Sequence, residues 1–400
     1  MNKTERKNLE ENIDKICLMN FLDGLWFPLP VYVIYLLDSH MSWTQIGMIL
    51  GAAAVMPFFF DIPSSIWADK YSRRFVMILA SIAFLLSNIF FYISNSFELF
   101  FFGSCLNGIG IAFSTGIFSA FIYDTLLSLG EEDQYERVQS KVMKYFFTGR
   151  LIASAIGAYV YLTNPRMVFL LSIFVSSVCL VLTFYLKEPS REKSISKSFH
   201  QVKEGLEFLL KNRSVWNLVV IFSVMCATCD VLFNYYQPVL QASGISVAYF
   251  GIVYVFVNAF SFLGASLYPK IKSKISWKYL MVFYLLVDLV SSLFFGTQIA
   301  VLVLLSVVFL SLSFGSFEIF IGSIVHRAVP SSHRATTLSI RSQIYMLSYF
   351  IFINVVGFSI DHGSIFIGML INALVALAVL LMFVKTVYDK TKIGDQLLQK

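Results

Sequence analysis

The chain has 400 residues, 58% of them hydrophobic and only 14% charged, with a formal net charge of +6. Soluble domains carry roughly 25% charged residues, so this composition excludes an ordinary water-soluble enzyme or binding module and points to an integral membrane protein. The cations fall between apolar runs, where they act as orientation signals, so the basic balance implies no nucleic-acid partner.

A helix rising 1.5 Å per residue needs about 20 apolar residues to cross a hydrocarbon core of about 30 Å. Runs of that length predict spans at 16–37, 44–66, 75–94, 99–123, 142–162, 167–186, 215–238, 247–269, 279–296, 299–323, 338–360 and 364–385. They lack the weak alternation of membrane barrel strands. The expected fold is all-α, with twelve transmembrane helices in two halves of six. Residues 1–187 form the first half, 188–214 a linker, and 215–400 the second half with a short tail.

Residues 1–15 are mostly polar and the first apolar run is too long for a signal-peptide core, so the first span is expected to be retained. That span carries Asp23, Trp26, Pro28 and Pro30. The second opens with Gly47 and Gly51, a G-x-x-x-G spacing suited to close helix packing. Asp61 lies near the end of the second run, and Asp69, Lys70, Arg73 and Arg74, between it and the third, are read as a very short charged loop. Asp124 lies near the foot of the fourth span and Arg150 within the fifth.

In the linker, Phe199, Val202, Leu206 and Leu209 share a helical spacing opposite Lys203, Glu204, Glu207 and Lys211, which predicts an amphipathic helix on the membrane surface. The seventh span brings Cys226 and Cys229, read as small packing residues rather than a metal or redox pair. It continues with Asp230, Asn234, Tyr235, Tyr236 and Gln237, a polar and aromatic cluster suited to a cavity wall. The ninth, tenth and eleventh spans add Asp288, Glu318 and Arg341.

Lys and Arg are retained on the cytoplasmic side during insertion. With both termini inside, Lys3, Arg6, Lys7, Lys15, Lys70, Arg73 and Arg74 fall inside, as do the cations of 137–144, 187–213 and 270–278, and only Arg166 falls outside. A parallel repeat relates the halves: Asp23 with Pro28 and Pro30 in the first span matches Asp230 with Pro238 in the seventh.

Ser65, Asp69, Lys70, Ser72, Arg73 and Arg74 resemble the loop signature Gly-x-x-x-Asp-Arg/Lys-x-Gly-Arg-Arg of the major facilitator superfamily, with serines at both glycine positions. With the Asp61-Ile-Pro-Ser-Ser segment, the Ser114-Thr115-Gly116 and Ala120 to Leu126 patterns, and Arg334-Ala335-Thr336-Thr337 before the eleventh span, the chain is similar to twelve-helix bacterial drug-efflux permeases of the macrolide and multidrug type. The resemblance implies a conformational gate at Asp69, Lys70, Arg73, Arg74 and Asp124. In it Asp69 braces a neighbouring helix end and Arg73 pairs with Asp124. It also implies that the first and seventh spans line the substrate cavity.

A carboxylate or arginine at mid-helix costs about 2.5–3.5 kcal/mol even on the lenient insertion scale, so such residues usually have a function. Asp23, Asp230, Glu318 and Arg150, with Asp61 nearer the cytoplasmic end, are the coupling and cavity candidates, and Asp230 is the foremost. Either Asp23 or Asp230 could carry a proton. Alternatively either is a carboxylate fixed by Arg150 or by helix-end hydrogen bonds. Asp288, among Leu and Val, could be a packing or lipid-facing anomaly, and Glu318 a cation-recognition acid or a packing partner.

The chain lacks the Gly-x-x-x-x-Gly-Lys-Ser/Thr phosphate loop, and no Ser-His-Asp or metal-ligand spacing stands out, so neither an enzyme nor a cofactor or metal site is expected. One charge moving through 100 mV releases about 2.3 kcal/mol, enough to drive useful export. The expected protein is a monomeric secondary transporter in a bacterial cytoplasmic membrane. It exports small hydrophobic or amphipathic compounds by proton antiport with rocker-switch alternating access. A nutrient importer, a lipid flippase and a non-transporting receptor are the alternatives.

Overall fold

The computed structural model describes residues 3–189 and 206–388. Among them, twelve helical stretches are long and apolar enough to cross a membrane. The helices are α1 (Lys3–Gly24), α2 (Tyr32–Asp38), α3 (Trp43–Lys70), α4 (Arg73–Ile93), α5 (Phe97–Ser114), α6 (Ile117–Leu129), α7 (Tyr135–Thr163) and α8 (Met167–Phe184). They continue as α9 (Arg213–Ala242), α10 (Phe250–Lys272), α11 (Trp277–Thr297), α12 (Ala300–Ala328), α13 (Ser331–Asp361) and α14 (Ile365–Tyr388).

Two spans are broken, which apolar run length did not disclose. The first is α1 and α2 joined through Pro28 and a 3-10 turn at Leu29–Val31, since proline supplies no N–H to continue the helix. The fourth is α5 and α6. There the hydroxyls of Ser114 and Thr115 donate to Ile111 O at 3.0 and 2.8 Å, offering the backbone an alternative to the helical ladder, and Gly116 takes φ +78°.

The charged stretch read as a loop is mostly helical. α3 runs unbroken through Pro57 and Pro63 to Lys70, Arg73 already opens α4, and only Tyr71 and Ser72 connect them. Ser72 caps α4 by accepting from Phe75 N at 3.0 Å. The first span also begins earlier than expected, because its polar start is helical, with Arg6 paired to Glu10 and Lys15 to Glu11 at 2.9 and 3.0 Å. Of the expected linker helix, only 206–211 lies within the described residues and is helical; the remainder lies outside them.

The described residues divide into two compact units. One comprises those of 1–39, 52–196 and 247–254, with a core that includes Ile16, Met19, Val76, Met77, Phe121 and Leu126. The other comprises those of 40–51, 197–246 and 255–400, with Phe222, Met225, Tyr284, Phe317 and Phe320 at its centre. Lipid tails are as apolar as these side chains, so close packing rather than water exclusion holds the helices together. Gly47 is an example within the second unit: a Cβ there would lie 2.8 Å from Ile353 O, so only glycine lets the start of α3 lie against α13.

Candidate functional site

Asp230 is the eighteenth of thirty residues in α9, at membrane depth and half-buried. The Tyr345 hydroxyl of α13 donates to its Oδ2. One turn before Tyr345, Arg341 meets Glu318 of α12 through Nη1 to Oε1 and Nη2 to Oε2, both at 3.2 Å, a two-pronged guanidinium contact. The Cys226 thiol stands between these groups, 3.8 Å from both Glu318 Oε1 and Arg341 Nη1. The side chain of Arg341 is 15% exposed and that of Glu318 57%. Three helices thus bring two acids, an arginine, a phenol and a thiol together.

The neighbours of Asp230 on α9 have other surroundings. Asn234 donates to Asp230 O at 2.8 Å, a helix-internal contact. Tyr235 is fully buried, donates to Ile353 O at 3.1 Å and stands edge-on to Trp43 at 5.3 Å. Tyr236 and Gln237 are buried as well. In this conformation these three pack between helices instead of forming an open wall.

In the first unit, Asp23 accepts from the Cys179 thiol at 3.3 Å and has no arginine beside it in the contacts described. Arg150 instead donates to the Tyr254 hydroxyl at 2.8 Å and lies over the rings of Phe146 and Tyr254, so it does not fix Asp23 as one reading of the sequence allowed. Trp26 is half-buried against Tyr32 at 5.2 Å, and Asp61 is exposed on α3.

At the signature end of α3, Arg73 Nη1 lies 2.5 Å from Asp124 Oδ2, with side chains only 17% and 10% exposed, and the guanidinium also donates to Ala120 O. Lys70 Nζ lies over the Tyr71 ring at 5.2 Å, and Asp69 stands half-buried in the last turn of α3. Arg74 donates to Phe184 O. Glu188, read from sequence as linker, accepts from the backbone N–H groups of Arg73 and Arg74 at 2.9 Å each and so closes the start of α4. Beside it, Lys187 and Asn12 exchange two hydrogen bonds at 2.8 and 2.9 Å.

At the other end of α3, Asp361 does the same for that helix. Its Oδ1 accepts from Trp43 N at 2.9 Å, and its Oδ2 accepts from Thr44 N at 2.8 Å and the Thr44 hydroxyl at 2.6 Å. Asp361, Glu188, Tyr345 and the Arg341 to Glu318 contact were not singled out from sequence. Only the Arg341 and Tyr345 spacing of four, one face of a helix, held a local signal.

A chain of twelve apolar helices, two of them broken, with ionisable side chains gathered at membrane depth and carboxylates closing helix starts, has the architecture of a membrane transporter. The sequence matches the Major Facilitator Superfamily over residues 16–353, and the chain belongs to that family; it is a multi-pass membrane transporter, not an enzyme.

It is 24% identical over 235 residues to the uncharacterized MFS-type transporter YxaM of Bacillus subtilis (strain 168), covering 56% of this chain and 57% of that protein, so the chain spans little more than half of that relative. It is 23% identical over 192 residues to Multidrug resistance protein 1 of the same organism, covering 47% of each. Among solved structures it shares its fold with the nucleoside transporter NupG, at a TM-score of 0.77 and 15% identity over 95% of this chain and 99% of that one. The D-xylose-proton symporter aligns at 0.66 and 13% identity over 95% and 97%.

Proposed function

We propose that this transporter exports small hydrophobic or amphipathic compounds by proton antiport, as a monomer in a bacterial cytoplasmic membrane with both termini inside. In this reading residues 1–187 and 215–400 are the two rocking halves and 188–214 tethers them. The observation that carries it is the Asp230, Tyr345, Glu318 and Arg341 cluster. Glu318 is largely exposed at a depth where a carboxylate facing lipid would be prohibitively costly, so that face is wet. A wet acid cluster can exchange protons and attract cationic or amphipathic cargo. The similarity to Multidrug resistance protein 1 supports a drug-like cargo.

Gating follows from contacts that can form and break. Arg73, Asp124, Asp69, Lys70 and Arg74 brace one end of α3, and Asp361 caps the other. States that interconvert differ by only a few kcal/mol, a range that one ion pair or one cap can tip.

The test is reconstitution of the full chain in vesicles under an imposed pH gradient, with proton movement recorded while cationic dyes and macrolides are added. Proton flux that these compounds trigger, and that Asp230→Asn and Glu318→Gln abolish, is expected. Cargo accumulation in the same direction as the protons would replace export by uptake, and labelled-lipid movement without proton flux would replace both.

A further inference from the structure

Asp288, which the sequence allowed to face lipid, is completely buried, and so are Thr228, Ser292 and Asn372 around it, at 0, 0 and 1% exposure. These residues come from α9, α11 and α14 of one unit and are tied into one cluster. The Thr228 hydroxyl donates to Asp288 Oδ2 at 2.6 Å. The Ser292 hydroxyl donates to Asp288 O at 2.9 Å and accepts from Asn372 Nδ2 at 2.9 Å, while Nδ2 also reaches Thr228 O at 3.4 Å. Two oxygens in the cluster, Asp288 Oδ1 and Asn372 Oδ1, are buried without a hydrogen-bond partner. The remaining side chain that interacts with the carboxyl is the thiol of Cys229, a weak donor.

Charge sharpens the point. No Lys, Arg or His occurs on α9 after Arg213, on α11 after Lys278 or on α14 before Lys385. On the helices packed alongside, Arg341 of α13 is engaged by Glu318 of α12, and Asp230, also acidic, is carried by α9. Among the described residues no basic side chain is thus seen to neutralise Asp288, and an isolated buried carboxylate is not sustained at this depth. Asp288 Oδ1 and the amide oxygen of Asn372 keep unused acceptor capacity in a cluster of hydroxyl, amide and carboxyl oxygens, the donor chemistry that takes a proton or a small alkali cation.

We propose that Asp288, Thr228, Ser292 and Asn372 form a buried site for one monovalent cation, H⁺ or Na⁺, separate from the Asp230 cluster. The site lies within a single helix packing unit, so its loading does not require cargo.

The experiment uses the full-length protein in nanodiscs with no cargo. Binding of radiolabelled sodium is measured alongside infrared difference spectra of the carboxylic-acid band between acidic and alkaline buffer, for wild type, Asp288→Asn, Thr228→Val and Asp230→Asn. Saturable sodium binding, or a carboxyl band that titrates without a sodium effect, is expected. Asp288→Asn removes sodium binding and its own component of the carboxyl band, Thr228→Val weakens that component roughly tenfold, as loss of a supporting contact does, and Asp230→Asn removes a different component and leaves that one in place. Sodium that displaces the band identifies Na⁺ as the occupant; a band indifferent to sodium identifies H⁺. If Asp288→Asn does not fold, Thr228→Val and Ser292→Ala carry the test by the same readouts. No sodium binding together with spectra insensitive to Asp288→Asn and Thr228→Val would overturn the proposal. So would a signal lost only in Asp230→Asn, which would leave the coupling role of Asp230 standing.

Discussion

Glu188 and Asp361 each close the start of a distant helix through both carboxylate oxygens, yet the two caps join different things. Glu188 caps α4 from just past the end of α8, so both partners come from residues 73–188. Beside it the buried Arg73 to Asp124 pair fastens the same corner. Asp361 caps α3 across 317 and 318 positions of sequence, joining the start of the second span to the end of the eleventh, and it is solvent-exposed. The same cap therefore stands in one place beside a buried ion pair, the stronger brace of the proposed gate, and in the other as an exposed contact on its own. A carboxylate exchanging backbone N–H groups for water can let go at small cost, whereas a desolvated ion pair cannot lose one partner cheaply.

Arg73→Ala sharpens this contrast most. Leaving Asp124 buried and unpaired is expected to cost about 3–5 kcal/mol, visible as a lowered thermal midpoint of the purified protein and partly restored by adding Asp124→Ala. A midpoint unchanged in Arg73→Ala would mean that this corner is also a loose contact.

Gly47→Val tests the far end by overpacking. A side chain pressed against Ile353 O is expected to cost about 1–3 kcal/mol through separation of α3 from α13. Cysteine accessibility at the start of α3 should rise while the thermal midpoint falls less than for Arg73→Ala.

Asp361→Ala removes the cap itself, worth about 1 kcal/mol. Expected is a protein of near-normal stability whose α3 start becomes more accessible to labelling. Equal labelling of wild type and variant would break the comparison.

Lys141→Ala should have the smallest effect. Its pair with Asp14 at 3.1 Å is exposed, and such pairs contribute about 0–1 kcal/mol, so midpoint and transport should stay near wild type.

Much of the fold was legible because membrane burial writes itself as unbroken apolar length, and twelve such lengths survive as twelve spans. The breaks at Pro28 and Gly116 were less so, since an apolar count does not register a lost N–H or a hydroxyl that turns back on the helix. The site was legible mostly as a set of residues. Asp230 and Glu318 stand out because ionisable groups are costly in hydrocarbon, but that Tyr345 meets the one and Arg341 the other was not in the sequence; Arg73 and Asp124 came as an expected pair only through the family resemblance.

Composition and apolar run length alone determined that the chain lies in a membrane and crosses it twelve times, because the bilayer acts on each segment independently of its neighbours. Tertiary structure alone decided that Arg341 holds Glu318 while Arg150 turns to Tyr254, that Tyr235 is buried while Glu318 is exposed, and that Asp361 reaches back to Thr44. Those outcomes depend on which helix faces touch across hundreds of residues. The physical reason is that hydrogen bonds and ion pairs act over a few ångströms of space, not over positions in the chain.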